Sequence, residues 1–407
     1  MINKADTAWM LIATAMVMIM TPTLAFFYGG LVRKKNILSV LMQSMVILAV
    51  ISLQWVLFGY SLAFGPDKAG LIGGLDWAGL SNVGTEPLSG QTIPHQLFMS
   101  FQMMFAVITP ALIVGAFVER IKFSGFLVFI ILWSTLVYDP MAHWVWASGG
   151  WLADLGALDF AGGTVIHITA GISALVMVLL MGRRSGNGTS SFPHNLPLSV
   201  LGAGFLWFGW FGFNAGSALG VSGITVSAFV NTNTAAAAAA VTWMALDWIR
   251  HGVPTMLGVI TGIVAGLVAI TPAAGYVSPM SSIIIGAGGS LFGFIFVSYI
   301  KERFGYDDSL DVFGVHGIAG IFGALATGLF ATKTINPGGA DGLFYGNPGQ
   351  LYIQLIAVLV AIAISATGTF VLYKIVDRLI GMRVNRRSEN IGLDLTQHHE
   401  TGYTLID

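Results

Sequence analysis

Long runs of apolar residues recur from one end of the sequence to the other, and they limit the possible folds more than any other feature. Each run is close to or above the ~20 residues that a helix needs to cross the hydrocarbon layer of a membrane. The runs lie at about 7–31, 37–63, 94–118, 124–143, 163–182, 197–218, 224–249, 254–271, 279–300, 310–331 and 350–377. Because a helix satisfies its own backbone hydrogen bonds in lipid, we predict an all-α membrane protein with eleven transmembrane helices.

The composition agrees with a membrane location and excludes several classes of protein. Only 9% of the 407 residues are charged, whereas a soluble domain averages about 25%. The absence of cysteine excludes disulfides and thiolate chemistry, and the net charge of −1 argues against a nucleic-acid partner. No basic cluster precedes the first apolar run, so we interpret residues 1–20 as part of the first span and not as a signal peptide.

Lysine and arginine are distributed unevenly between the connections that join the spans. If the basic loop at 33–35 is cytoplasmic, an eleven-span topology places 15 of the 18 basic residues on that side. Lys4, Lys68 and Lys333 fall outside. Cytoplasmic connections of membrane proteins carry such an excess of positive charge. We therefore predict a multi-pass protein of the cell (plasma) membrane, with its N-terminus outside and its C-terminus in the cytoplasm.

The pattern H-x-x-A-G-I occurs twice, at 167–172 and at 316–321. The two copies open the fifth and the tenth predicted span, so they run in opposite directions through the membrane. Such an arrangement is typical of an inverted five-helix repeat, whose functional site lies between the halves near the midplane. We divide the chain into a transmembrane domain at 1–377, with repeat A at about 7–182, repeat B at about 197–331 and a last helix at about 350–377, and a cytoplasmic tail at 378–407.

Of the eight histidines, six fall in loops, at the ends of spans or in the tail, and only His167 and His316 lie within membrane segments. An ionisable side chain there costs a few kcal/mol and indicates a functional site, although a buried histidine can also serve packing alone. Two facing imidazoles can share one proton and present their other nitrogens to a pore. Desolvation disfavours the charged ring, so we expect neither to be an imidazolium at rest. The rings can meet if both helices begin inside the membrane, after irregular backbone at Gly162, Gly163 and Gly314.

Aromatic residues form a second candidate site. Trp146 is predicted in an outer loop near Asp159, whereas Phe105 and Phe213 lie in the third and sixth spans. Such side chains can bind a small cation through their π faces or close a pore as a hydrophobic gate, and they can equally serve packing alone. Asp159 and Asp311 each precede a span, and each is predicted to cap the N-terminus of its helix.

Several longer motifs resemble those of the ammonium transporters, the Amt branch of the Amt/Mep/Rh superfamily. The segment 159–167 reads DFAGGTVIH, 210–217 reads WFGFNAGS, and 311–317 reads DVFGVHG. These segments combine uncommon residues at fixed spacing in the expected spans. The resemblance extends over nearly the whole chain, with further matches at 6–10, 25–31 and 115–120.

The resemblance implies a homotrimer with one pore per subunit, and it assigns roles to particular residues. The implied roles are an outer ammonium-binding site (Trp146, Phe105, Ser217), a stacked gate (Phe105, Phe213), a pair of imidazoles in the pore (His167, His316) and supporting residues (Asp159, Asp311, Asn214, Trp210). Asp159 is expected to support the outer site without touching the ion. A PII-type regulatory protein is implied as a partner of the tail, although 397–400 reads QHHE where the family commonly has HGE.

The implied function is the transport of ammonium or ammonia, with ammonium recruited outside, deprotonated and passed through a hydrophobic pore. A potassium-type channel would carry a filter such as TVGYG, which the sequence lacks. No carboxylate lies within four residues of His167, so we predict a non-enzyme without cofactor or metal. The alternative is an ammonium sensor on the same fold. Sensors usually carry an added signalling domain, for which the predicted tail is too short.

Overall fold

The structure, a computed structural model, describes residues 1–186 and 193–403. Apolar helices make up most of this part of the chain. They are α1 (Lys4–Leu31), α2 (Lys34–Phe64), α3 (His95–Phe117), α4 (Phe123–Leu155), α5 (Gly163–Met181), α6 (Leu196–Gly216), α7 (Gly223–His251), α8 (Met256–Ile270), α9 (Pro279–Phe304), α10 (Phe313–Phe330) and α11 (Pro348–Leu379). Within the described residues, ten are long and apolar enough to cross a membrane, and α8 is shorter. Each helix coincides with a predicted span.

Five of these helices contain a π-helical turn, in which one extra residue widens the backbone spiral. The turns are Trp55–Gly59 in α2, Ser134–Tyr138 in α4, Gly163–Ile168 in α5, Phe296–Ile300 in α9 and Phe313–Ile318 in α10. In α5 and α10 the π turn is the first turn of the helix, and it carries His167 and His316 respectively. Irregular backbone therefore occurs where the sequence predicted that two helices begin inside the membrane.

A small hairpin on the side predicted to be outer adds a minor exception to the all-α prediction. Its strands are β1 (Asp67–Lys68) and β2 (Ile72–Gly73), which pair antiparallel. The hairpin is attached to α4, because His143 bonds the carbonyl of Ala63 through Nδ1 at 2.9 Å and the carboxylate of Asp67 through Nε2 at 3.0 Å. The hydrogen bond from His143 lowers the pKa of Asp67 from its ordinary value.

Helices α1 and α6 lie against each other at glycines. A side chain at Gly202 would meet the backbone nitrogen of Phe27 at 2.5 Å, and one at Gly212 would meet the carbonyl oxygen of Ala13 at 2.9 Å. Small residues allow such close approach in lipid, where packing and not the hydrophobic effect holds helices together. This contact joins the first helix of the predicted repeat A to the first helix of the predicted repeat B.

Buried ion pairs connect the loops on the side predicted to be cytoplasmic. Arg184 bonds both Glu119 and Asp307 at 2.9 Å, and Arg33 bonds Glu119 at 2.9 Å. Arg120 is fully buried and lies 3.5 Å from Asp307. Burial raises the pKa values of Glu119 and Asp307, but hydrogen bonds and charges from the arginines outweigh it, so both pKa values lie below their ordinary range. Both carboxylates are therefore ionised and paired at neutral pH.

The C-terminal segment packs against this ion-pair layer. It forms two short helices, α12 (Arg386–Ile391) and α13 (Leu393–His398). Asn36 accepts a hydrogen bond from the backbone of Leu393 and donates one to Glu119, at 2.8 and 2.9 Å. Asp394 caps the start of the regular α-helical part of α2 by accepting from the backbone of Ser39. The segment is thus joined to the helix bundle through buried polar contacts.

Candidate functional site

Phe105, Trp146 and Ser217 line one cavity of about 170 Å³ on the side predicted to be outer. Phe105 comes from the middle of α3, and Ser217 follows the last residue of α6. Trp146 is the last residue of a helix and not part of a loop as predicted, because α4 remains helical to this point before it breaks at 147–150. The structure therefore brings together three residues that the sequence alone could not place in one site.

Trp146 is held in place by the segment that precedes α5. Its indole nitrogen donates to the carbonyl oxygen of Asp159 at 2.9 Å. The Asp159 carboxylate accepts from the backbone of Gly162, Gly163 and Thr164 at 2.6 to 2.8 Å. Asp159 caps the helix, as predicted. Gly162 has φ 119, a left-handed conformation that favours glycine, and it lets the chain turn into the buried helix start.

Below this cavity the aromatic rings contact one another in sequence. Phe105 and Phe213 have centroids 4.5 Å apart at 70°, so the pair meets edge to face and not stacked as predicted. An edge-to-face contact places the positive ring edge against the negative ring face. Phe213 lies 6.0 Å from His167 at 22°. Both Phe rings are buried, at 1% exposure.

His167 and His316 are adjacent in the interior of the bundle. Their Nδ1 atoms lie 3.3 Å apart, and the ring planes differ by 17°. Trp210 stacks on the His167 ring at 5.5 Å, and its indole nitrogen donates to Thr271. Among the described residues, Nε2 of His167 is buried and has no hydrogen-bond partner. The geometry permits one proton between the two Nδ1 atoms.

The repeated H-x-x-A-G-I pattern explains how the two helices approach so closely. A side chain at Gly171 would collide with the backbone of Gly317, next to His316. The matching glycine of the second copy, Gly320, faces the Cβ of His167 at 3.1 Å. Each copy therefore supplies a histidine and a glycine, and the glycine makes room for the histidine segment of the other copy. The sequence showed this repeat but not its reciprocal contact.

A second cavity, of about 350 Å³, lies on the side predicted to be cytoplasmic. His316 lines it together with Tyr28 and the acidic residues Asp247 and Asp311. Asp247 is buried and accepts a hydrogen bond from Thr255 at 2.5 Å. The sequence analysis missed Asp247, although a lone carboxylate near the end of an apolar helix is a recognisable signal.

The predicted capping role of Asp311 is wrong. Asp311 adopts a left-handed φ of 61 and pairs with Lys301 at 2.6 Å. Asp308 caps α10 instead, since its carboxylate accepts from the backbone nitrogen of Phe313 at 2.8 Å. Burial raises the pKa of Asp308 to about 6. The segment 307–311 holds three aspartates, and the sequence does not reveal which one faces the helix start.

Asn214, a predicted supporting residue, is buried and donates to Thr232 at 2.9 Å. This bond joins α6 to α7 one turn below the outer cavity.

Among the residues that the structure describes, no group of three or more His, Asp or Glu side chains is placed to hold a metal ion.

A bundle of membrane-length helices, with one column of rings between an outer aromatic cavity and an inner cavity, defines a membrane transport protein. Comparison with known proteins specifies the family. The profile of the Ammonium Transporter Family matches residues 8–403. The chain is 53% identical to the ammonium transporter of Bacillus subtilis (strain 168) over 402 residues, which cover 98% of this chain and 99% of that protein. The chain belongs to the ammonium transporter family.

Solved structures give the same fold. The crystal structure of Saccharomyces cerevisiae Mep2 matches with a TM-score of 0.89 at 37% identity, over 95% of this chain and 88% of that one. A structure described as a sensor Amt protein matches with a TM-score of 0.89 at 30% identity, over 97% and 98% of the two chains. The predicted family and helical membrane architecture are therefore confirmed, and Mep2 and a sensor Amt protein share this fold.

Proposed function

We propose that the chain transports ammonium across the cell membrane, recruiting the cation at the outer cavity and passing it inward as neutral ammonia. The observation that carries this proposal is the continuous column of rings from Trp146 through Phe105, Phe213 and His167 to His316. Successive centroids in this column lie 4.5 to 6.0 Å apart. Such a path has few groups that can replace the hydration shell of an ion, whereas a small neutral amine can pass it.

The outer cavity has the groups that ammonium needs before it loses a proton. The rings of Trp146 and Phe105, 6.0 Å apart, present π-electron density to a cation. Because the indole nitrogen of Trp146 is already bonded to Asp159, the indole offers its face and not its N–H. The hydroxyl of Ser217 donates to the carbonyl of Phe213, so its lone pairs remain free to accept an N–H of the ion.

The column of rings separates ammonium from potassium. The two ions are nearly the same size, so the outer cavity alone cannot distinguish them. Ammonium can release a proton and enter as ammonia, whereas potassium would have to cross without its water at a cost of many kcal/mol. The Phe105–Phe213 pair is the narrow apolar gate at which this difference acts.

The histidine pair suits a neutral amine. If one proton lies between the two Nδ1 atoms, one ring has a free acceptor at Nε2 and the other carries a proton there. Ammonia is both a donor and an acceptor of hydrogen bonds, so it can bond to either ring without any charge on the pair. Transport stays neutral if the released proton remains outside, and becomes electrogenic if the proton also crosses.

We further propose a homotrimer with one pore per subunit, its N-termini outside and its tails in the cytoplasm. The distribution of 15 of the 18 basic residues supports this orientation. The tail helices α12 and α13 lie beside the inner loops, where they can contact a neighbouring subunit and a PII-type regulatory protein.

Uptake of labelled methylammonium into proteoliposomes, with and without an imposed membrane potential, tests transport. We expect uptake well above that of protein-free vesicles. A rise with negative internal potential would show that the proton crosses as well, and equal rates would indicate ammonia conduction. No uptake above protein-free vesicles under either condition would reject the proposal.

A sensor function is the second candidate, because the sensor Amt structure matches this chain over nearly its whole length. A sensor would bind ammonium without moving it. Ammonium-dependent quenching of tryptophan fluorescence in the purified protein, together with an absence of vesicle uptake, would favour the sensor.

A further inference from the structure

The last membrane helix, α11, carries two buried glutamines that have no role in the site described so far. Gln350 and Gln354 are four residues apart, so they lie on the same face of the helix. Both residues are buried, at 2% and 0% exposure. A buried amide costs free energy unless it is hydrogen-bonded, so the partners of these amides indicate why an apolar helix carries them.

Gln354 uses both ends of its amide group. Its Oε1 accepts from the backbone nitrogen of Leu158 at 2.7 Å, and its Nε2 donates to the carbonyl oxygen of the same residue at 2.7 Å. The amide therefore exchanges both hydrogen bonds with Leu158, as a residue on a neighbouring antiparallel strand would. Nε2 also donates to the carbonyl oxygen of Ala324 in α10 at 3.0 Å, so one side chain joins three parts of the chain.

Leu158 belongs to the segment 156–162, which leads from α4 into α5 and carries parts of the outer site. The carbonyl oxygen of Asp159 accepts from the indole of Trp146 at 2.9 Å. The next residue, Phe160, lines the outer cavity. A shift of the Leu158 backbone would therefore move both the group that holds the Trp146 ring and part of the cavity wall.

Gln350 connects α11 to the same segment a second time. Its Nε2 donates to the carbonyl oxygen of Gly156 at 3.0 Å and lies 3.4 Å from Oε1 of Gln354. The segment 156–162 thus receives hydrogen bonds from α11 at two of its residues, both within a few residues of the Asp159 carbonyl group.

The matching segment before α10 is held in a different way. Arg120 donates from Nη2 to the carbonyl oxygen of Asp307 at 2.6 Å, and Arg184 pairs with the carboxylate of the same residue at 2.9 Å. A cationic support of this kind beside the outer cavity would repel an arriving cation. The neutral amides of α11 hold the outer segment without this repulsion.

We propose that Gln354, supported by Gln350, is a positioning residue of the outer site, which fixes the 156–162 backbone so that the Trp146 ring faces the ammonium ion. Gln354 is not among the residues that line the cavity, so it acts through Leu158 and Asp159. This inference rests on the proposed function. It gives α11 a role in substrate affinity in addition to packing.

The expected defect is in recruitment and not in passage through the pore. Without the bonds from Gln354, the Leu158 backbone can shift, and the Trp146 ring then loses part of its contact with the cation. The Asp159 carboxylate still accepts from Gly162 and Gly163, so the start of α5 and the ring column below it stay in place.

Gln354→Leu tests the inference, because leucine is apolar and can bond neither Leu158 nor Ala324. The measurement is the uptake of labelled methylammonium into proteoliposomes of the full chain over a range of concentrations, normalised to folded protein. We expect the half-saturating concentration to rise roughly tenfold with a nearly unchanged maximal rate. Gln350→Leu removes a single bond to the segment and should raise the half-saturating concentration by a smaller factor.

Gln43→Leu is the matched control. Gln43 is also buried, at 1% exposure, but its Nε2 bonds Ser39 at 3.1 Å within its own helix, α2. This variant likewise loses a buried amide, so its melting temperature in detergent should change, whereas its half-saturating concentration should stay at the wild-type value. A general loss of stability is thereby separated from a loss of positioning.

Half-saturating concentrations in Gln354→Leu and Gln350→Leu no higher than in Gln43→Leu would overturn the inference and leave transport itself standing. A fall in the maximal rate alone would overturn it too. If Gln354→Leu does not fold, Gln350→Leu decides between these outcomes. A wild-type protein that takes up no methylammonium would instead reject the proposed function.

Discussion

At the centre of the ring column, the Nδ1 atoms of His167 and His316 lie 3.3 Å apart. They are close enough to share one proton, and two protons there would repel each other in apolar surroundings. The neighbouring Trp210 has its N–H engaged by Thr271 at 2.9 Å, so its ring is free to stack on His167. The hydrogen bond of Trp210 to Thr271 and the contact between the two Nδ1 atoms thus fix the orientation of these rings beside the proposed path.

Replacing His167 by a carboxylate should change the ion that passes. In His167→Asp the fixed negative charge pairs with a dehydrated cation and lowers the cost of its entry. We expect potassium flux to appear and the ammonium-over-potassium preference to fall by at least about tenfold, measured as potassium-driven currents across planar bilayers.

His399→Asp introduces the same change at an exposed position of the C-terminal segment, away from the two cavities, and it should leave the preference intact. Unaltered selectivity in His167→Asp would remove the histidine pair from the proposed mechanism.

At the scale of helices, the site depends on how α5 and α10 cross. Each helix starts with a π turn, and Gly171 of α5 lies directly against Gly317 of α10. Because the interior of the protein is close-packed, an extra side-chain atom at this crossing would displace the residues around it. The distance between the imidazoles is therefore coupled to the size of the residue at this crossing.

Gly171→Ala should separate the helices, because a Cβ there would collide with the Gly317 backbone. Overpacking of this kind costs typically ~1–3 kcal/mol. We expect a lower melting temperature in detergent and a loss of most methylammonium uptake.

Gly204→Ala in α6 is the matched control, since among the described residues no atom outside its own helix turn lies within 4 Å of a Cβ there. Equal melting and uptake for the two variants would refute the proposed tight crossing.

At the scale of the whole molecule, the inner loops and the C-terminal segment form one polar layer. Glu119 accepts bonds from Arg33, Arg184 and Asn36, and Glu389 joins Arg383 to the backbone of Ser185. Burial raises the pKa of Glu389, but the hydrogen bonds from Arg383 and Ser185 outweigh it and lower its pKa overall. This layer connects the tail to loops from both predicted repeats.

Stability should therefore fall in acid. The pKa values of Glu119, Asp307 and Glu389 are lowered in the folded chain. Their contribution is complete above the ordinary carboxyl values, 4.5 for Glu and 3.8 for Asp, and is lost as the pH falls through the lowered values. We expect melting temperatures in detergent to stay level near neutral pH and to drop below about pH 4.

Glu119→Gln isolates one of these groups. It removes the carboxylate partner of Arg33 and one of the two carboxylate partners of Arg184, which keeps Asp307. It should cost about 3 kcal/mol at pH 7, with a shallower further decline in acid than the wild type shows. A decline as steep as that of the wild type would exclude Glu119 as a source of the acid sensitivity.

Much of the fold could be predicted from the sequence because its signals are local. The apolar runs located the eleven membrane helices to within a few residues, except that α4 continues to Leu155 where its run ended at 143. The short repeat singled out the two histidines that meet. The interpretation was wrong for Asp311, and it missed Asp247. These side chains acquire their roles from partners distant in the chain or from a cavity wall, and no local pattern records either.

The sequence by itself determined which segments lie in lipid and which residue types line their interior, because partition into lipid depends on composition and helical period alone. The tertiary structure decided which aspartate caps α10 and how the Phe rings meet. The histidines are 149 residues apart in the chain. Their contact depends on the close crossing of α5 and α10, which small residues such as Gly171 and Gly320 permit. The space available at this crossing is set by both helices together, so neither segment of sequence specifies it alone.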